Sequence, residues 1–173
     1  MDTYKVIMSK LDIRQFDSKK VAAEVKSRVL EAARASGTGN NKQEWRFILV
    51  QEKEMLKRLA EDSTSGGWVA GANFAVVVLS DPTLGFHLID AGRAVQNMEL
   101  AAWDQGVISG IYTGVKDEKM RKDFAIPSSL KPVVVVGFGY PVKRIVGKKN
   151  RMPLSDLAFI DKHGNKFDPK KLS

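Results

Sequence analysis

Between positions 74 and 80 the chain reads Phe-Ala-Val-Val-Val-Leu-Ser, and between 132 and 140 it reads Pro-Val-Val-Val-Val-Gly-Phe-Gly-Tyr. Unbroken β-branched and aromatic runs of this length, closed by Asp81-Pro82 and by Pro141, predict strands buried on both faces of a sheet. Shorter runs over residues 45–50 and 109–113 predict two more strands. Elsewhere the apolar positions recur every three or four residues. Val21, Val25, Val29 and Ala33 form one helical stripe, with Ser18 as its cap and Ser36-Gly37 as its stop. Leu88, Ala91, Val95, Met98 and Ala102 mark a long helix over 87–104. Its small residues Ala91, Gly92, Ala94, Ala101 and Ala102 would let another helix approach closely. Shorter helices are predicted over 4–10, with Thr3 as N-cap, over 54–61, and over 117–124 as an exposed element. Strands alternating with helices imply a central sheet covered on both faces.

At 173 residues the chain has room for one domain with a substantial core and no second one, and no repeat or linker divides it. The domain is expected to span residues 1–153. Residues 154–173 are expected to form an arm. There Phe159, Ile160 and Phe167 flank a His163-Gly164-Asn165 turn, with too little apolar surface for a core of their own, so packing on a partner is expected. Two loops are rich in residues that accept positive φ or bring backbone N–H groups close to a ligand: Gly37-Thr38-Gly39-Asn40-Asn41 and Ser63-Thr64-Ser65-Gly66-Gly67.

The absence of cysteine excludes disulfides, thiolate metal sites and cysteine nucleophiles, so redox chemistry would need a cofactor. Two histidines, His87 and His163, do not make a multi-histidine metal centre. No apolar run approaches the roughly 20 residues that span a bilayer. The opening Met1-Asp2-Thr3-Tyr4-Lys5 lacks the pattern of a secretory signal, and a cytoplasmic location without membrane contact is expected. The formal net charge of +8 is compatible with nucleic acid, phosphorylated small molecules or a plainly solvated surface. No helix-turn-helix, zinc motif or RNP-like pattern supports nucleic acid.

Two cationic stretches stand at opposite ends of the chain. One is Lys10-Leu11-Asp12-Ile13-Arg14, followed by Phe16; the other is Lys149-Asn150-Arg151-Met152-Pro153, preceded by Gly139-Tyr140-Pro141. Between them lie Asn41-Lys42-Gln43-Glu44-Trp45 and Gly110-Ile111-Tyr112-Thr113-Gly114. In this order the segments resemble the FMN-dependent nitroreductase family over nearly the whole chain. The resemblance implies an α+β fold, a three-layer α-β-α sandwich with a central mixed sheet, assembled as a homodimer through the long helix.

It also implies roles for single residues. Lys10, Lys149 and Arg151 would meet the FMN phosphate, for which cationic donors are suited. Leu11 would contribute through its backbone, and Arg14 would stabilise the charge that develops at the N1/O2 edge of a reduced flavin. Asp12 stands where the family has serine; a carboxylate beside phosphate repels it, so Asp12 either turns towards Lys10 or Arg14 or alters the pocket. Thr38, Gly39 and Asn41 would reach a flavin held mainly by the other subunit, with Glu44 standing for the family's proline. Thr113 or Gly114 would donate from the backbone towards N5, and Ser65 lies where some members contact the ring edge. The activity implied is a ping-pong transfer of hydride from NAD(P)H to nitroaromatic, quinone or similar acceptors through an open pocket. No side chain is needed as acid, base or nucleophile. The alternatives are the same fold with altered or lost flavin chemistry, and a basic nucleic-acid-binding protein.

Overall fold

All seven residues of Phe74–Ser80 are buried, as their unbroken apolar run requires. The computed structural model describes residues 2–172. In it this strand, β2, lies between Arg46–Val50 (β1) and Lys131–Gly139 (β4), and Ile108–Tyr112 (β3) completes a sheet of order β1-β2-β4-β3. Every pairing of these strands is antiparallel. The expected mixed sheet is thereby corrected, and the connection between β2 and β3 explains why. The helix His87–Asp104 (α4) carries the chain across so that β2 and β3 run in the same direction, but β4 inserts between them, a split crossover. Among the described residues the one parallel contact is an isolated bridge between Asp12 and Ser109.

Helices cover both faces. Against one face, α4 and Ala23–Arg34 (α2) enclose Val29, Ala33, Ala91, Ala94 and Met98 together with Phe74 and Phe138. The two phenylalanine rings stack at 4.7 Å between centroids. Against the other face, Lys53–Glu61 (α3), a 3-10 turn over Gly67–Gly71 and Asp117–Asp123 (α5) bury Leu56, Leu59, Val69 and Met120. The helix predicted as exposed over 117–124 is thus anchored by a fully buried methionine.

Three local expectations are corrected. In Thr3–Ser9 (α1) the cap is Asp2, whose side chain accepts from the Tyr4 N–H at 3.1 Å, rather than Thr3. Ser18 does not cap α2, which starts five residues later. Asn73 accepts from the Val21 N–H at 2.8 Å and donates to the Lys19 carbonyl at 3.1 Å, so residues 19–21 are tied to the start of β2 and cannot coil. On α4 the buried apolar stripe begins at Ala91, because Leu88 is exposed.

Beyond β4 the helical elements among the described residues are Leu154–Leu157 (α6) and a 3-10 turn over Pro169–Lys171. Phe167 N–H donates to the Ala158 carbonyl and Ile160 N–H to the Asn165 carbonyl, closing a small hairpin, and Leu154, Leu157 and Leu172 on either side of it are exposed. Among the described residues, no helix is long and apolar enough to cross a membrane.

Candidate functional site

Two carboxylates on the buried side of α4, Asp90 and Glu99, each grip a different loop. Glu99 Oε1 accepts from Lys10 Nζ at 2.7 Å and from the Ser109 hydroxyl at 2.8 Å. Lys10 Nζ also donates to Asp12 Oδ1 at 2.5 Å. Asp12 therefore turns to Lys10, one of the two orientations expected for it. A buried ammonium without a partner is costly, and here two carboxylates meet it. Lys10, 7% exposed, is thus a strut between α4 and the N-terminal segment rather than a free cation.

From that strut the chain wraps round the free edge of β3. Ile13 N–H donates to the Ser109 carbonyl, Arg14 Nη2 to the Ile111 carbonyl at 3.2 Å, and Asp17 N–H to the Tyr140 carbonyl. This cover supplies partners to an edge strand that would otherwise be open. It also delivers Lys10 to the α4 face of the sheet and Arg14 to the opposite face. There Arg14 lies over Trp68, 5.4 Å from its ring centroid. Trp68 rests on two glycines paired across neighbouring strands, Gly110 and Gly137. A Cβ at Gly137 would fall 2.7 Å from the indole ring, and one at Gly110 would fall 2.8 Å from Arg14 Cγ. Only glycine lets an indole and a guanidinium lie this close to the sheet. Phe16 and Tyr112 flank the same indole at 6.1 and 6.0 Å between centroids.

The C-terminal cationic stretch meets the N-terminal one. Phe16 bridges Pro141, and Lys149 Nζ donates to the Ile7 carbonyl. Two adjoining cavities of about 310 and 410 Å³ run between the strands of chain, sharing Leu11 and Ile145 as a common wall. Asp12, Lys143 and Arg144 line the first, and Lys148 and Lys149 the second. Arg151 lies beyond this groove, exposed, with Nη1 donating to the Asn150 carbonyl. An anion with an apolar body fits such a groove, so the residues present accommodate a flavin nucleotide: cations along the rim, apolar Leu11, Ile13, Val142 and Ile145 within.

Thr113 and Gly114 follow the end of β3, where the Gly114 carbonyl accepts from Thr64 N–H at 2.8 Å. Ser65 Oγ would lie 3.1 Å from a Cβ at Gly114, so the loop over residues 63–67 flanks this end of the platform. Tyr112 beside it donates to the Leu59 carbonyl at 3.0 Å, and burial, reinforced by the nearby Asp62 carboxylate, pushes its phenol far above the ordinary range. It stays protonated at any working pH and offers no base.

Thr38, Gly39 and Asn41 stand elsewhere. Their loop precedes β1, at the sheet edge opposite β3, and Gly39 N–H donates to Asp90 at 2.8 Å near the start of α4. Asn40 and Asn41 have φ of 51° and 55°, the left-handed conformations that asparagine tolerates best among residues with a side chain. Within one chain this loop and the Lys10–Lys149 groove do not come together. Glu44 next to it is buried with both carboxylate oxygens unpartnered among the described residues. An unsatisfied buried polar group costs about 2 kcal/mol, so Glu44→Leu is expected to raise the midpoint of thermal unfolding by roughly 4–8 °C. A circular-dichroism melt with an unchanged or lower midpoint would remove that reading.

Sequence reasoning missed Glu99 and Trp68. Glu99 was detectable as a carboxylate inside the apolar stripe of α4, between Met98 and Ala102. Trp68 left no periodic signal, because it sits in a 3-10 turn.

Comparison with known proteins agrees with this architecture. A model of the nitroreductase family matches residues 7–85 and 68–140. A protein of Methanothermobacter thermautotrophicus, described as "Putative NADH dehydrogenase/NAD(P)H nitroreductase", is 32% identical over 152 residues, covering 83% of this chain and 79% of its own. The FMN reductase (NADPH) of Bacillus subtilis is 24% identical over 176 residues, 88% of this chain and 70% of its own. Among solved structures, a nitroreductase family protein of Clostridium difficile 630 superposes with a TM-score of 0.83 at 26% identity, covering 94% of this chain and 99% of that one.

Proposed function

Because this chain belongs to the nitroreductase family, we propose that it is an NAD(P)H-dependent oxidoreductase with FMN as its cofactor, passing electrons to small acceptors such as nitroaromatics or quinones. The observation that carries the reading is the groove itself: segments from opposite ends of the chain meet along one sheet edge, cationic at the rim and apolar within. When bound, FMN supplies the hydride-accepting ring. The protein's own residues supply position and field. Arg14, fixed by the Ile111 carbonyl and by Trp68, carries a preorganised positive charge to the platform of Gly110 and Gly137, where it favours the reduced, more negative ring. Lys149 and Arg151 serve the phosphate, Leu11 walls the groove, and the backbone at Thr113 and Gly114 addresses the far end of the ring. Donor and acceptor occupy the open side in turn.

The site is completed by a second copy of the chain. Thr38, Gly39 and Asn41 lie at the opposite sheet edge, so they join a groove only across a homodimer, and exposed Leu154, Leu157 and Leu172 of the arm over residues 154–173 are covered in that assembly.

The test is direct. Purified protein mixed with FMN is expected to be yellow and to bleach anaerobically on addition of NADH or NADPH; protein that stays colourless after FMN addition and gel filtration would overturn the assignment. That second outcome would favour a fold that has lost its flavin, a reading motivated by Asp12 in the groove and by Glu44 in place of the family's proline. Arg151→Ala is expected to weaken FMN binding by about 1.5–3 kcal/mol, the range for a charge-assisted hydrogen bond, with unfolding unchanged; unaltered affinity in a fluorescence titration would take Arg151 out of the site. Arg14→Ala is expected to lower the flavin potential and slow its reduction more than it alters affinity. Equal reduction rates in stopped flow would reject that role.

A further inference from the structure

Lys10 meets two carboxylates, buried Glu99 and Asp12, and of these Asp12 lines the groove. Resting on the flavin-binding reading above, we propose that Asp12 is a specificity-determining residue: it withdraws Lys10 from the phosphate end, so that the groove takes FMN and phosphate-free riboflavin with similar affinity. Lys10 has three N–H donors. Two of them are engaged, by Asp12 Oδ1 at 2.5 Å and Glu99 Oε1 at 2.7 Å. The Glu99 carboxylate is 5% exposed and already accepts from Ser109, so it cannot swing away to release the ammonium. Lys10, Asp12 and Glu99 together carry net negative charge, and the Asp12 side chain, 60% exposed, presents its share of it to the groove that it lines.

The remaining cations do not restore a tight phosphate site. Lys149 is tied to the Ile7 carbonyl, and Arg151, which lies beyond the groove and donates to the Asn150 carbonyl, exerts an attraction that the Asp12 carboxylate in the groove opposes. Lys143, Arg144 and Lys148 stand on an exposed extended stretch without hydrogen-bond or ion-pair partners among the described residues, so their attraction for an anion is diffuse and screened by salt. Apolar contacts with Leu11, Ile13, Val142 and Ile145 act on a flavin whether or not it bears phosphate. The binding energy therefore sits mainly in the ring and ribityl chain.

Flavin-free protein titrated with FMN and with riboflavin, followed by quenching of flavin fluorescence, tests this. The ratio of the two dissociation constants is expected to lie below about tenfold in the parent and to rise about tenfold in Asp12→Asn, the scale of one charge–charge interaction near a protein surface. Asp12 is exposed, so the variant retains the fold. A parental preference for FMN above about tenfold, or a ratio unchanged in Asp12→Asn, would overturn the proposal while leaving flavin binding intact. Failure of both flavins to bind would instead overturn the parent reading and this one with it.

Discussion

Glu99→Ala is expected to lower the thermal midpoint by roughly 6–12 °C, because removing one partner of a buried ion pair costs about 3 kcal/mol or more. The cost arises on both sides of the lost carboxylate. Lys10, buried beneath the N-terminal segment, keeps only the exposed Asp12 as counter-charge, and the Ser109 hydroxyl on β3 loses its acceptor. Glu99→Gln, whose amide oxygen still accepts from Ser109, is expected to lose about half as much. Asp12→Ala removes a largely exposed partner of the same lysine and should cost less than about 1 kcal/mol. In a circular-dichroism melt, a midpoint lowest for Glu99→Ala, higher for Glu99→Gln and highest for Asp12→Ala is the signature of a strut anchored in α4. A midpoint for Glu99→Ala within about 2 °C of the parent, less than roughly 1 kcal/mol for a chain of this size, would show that the segment is held elsewhere.

Gly137→Val carries the second large effect. A Cβ there falls 2.7 Å from the Trp68 ring and 3.2 Å from Val69 Cγ2, and Val69 is fully buried, so neither neighbour can retreat cheaply. Overpacking of this kind costs about 1–3 kcal/mol, offset only partly by the better strand propensity of valine. The indole is forced off the sheet, and Arg14 loses the surface over which it lies. The expected result is a changed near-ultraviolet circular-dichroism spectrum together with weaker flavin binding. Gly67→Ala is the control, since nothing lies within 4 Å of the added carbon. Parental spectrum and affinity in Gly137→Val would mean that Trp68 is not seated on the sheet.

The two long apolar runs and the 87–104 helix were legible in the sequence because each carries its own evidence: burial on both faces, or a stripe with period near 3.6. What stayed illegible depends on partners far along the chain. Ser18 has the right type and place for a cap, yet Asn73 holds the following residues extended across a separation of 52 positions. Lys10 reads as a phosphate ligand until Glu99, 89 positions away, claims its ammonium. The candidate site shows the same division. The meeting of the two cationic ends was anticipated from residue types, whereas the glycine seat for Trp68 required the register that sets Gly110 opposite Gly137. Strand alternation with helices announced a layered sheet, but nothing local revealed that the last strand would slot between two earlier ones.

That slotting sets a timetable for biosynthesis. A ribosome emits β2 and β3 well before the strand that must pair with both, so the growing polypeptide carries two unzipped, strongly hydrophobic borders until the end of β4, Gly139, has cleared the exit tunnel. Translation stalled in that interval exposes a template for intermolecular zippering, and premature termination anywhere before β4 yields a product that cannot close its own centre.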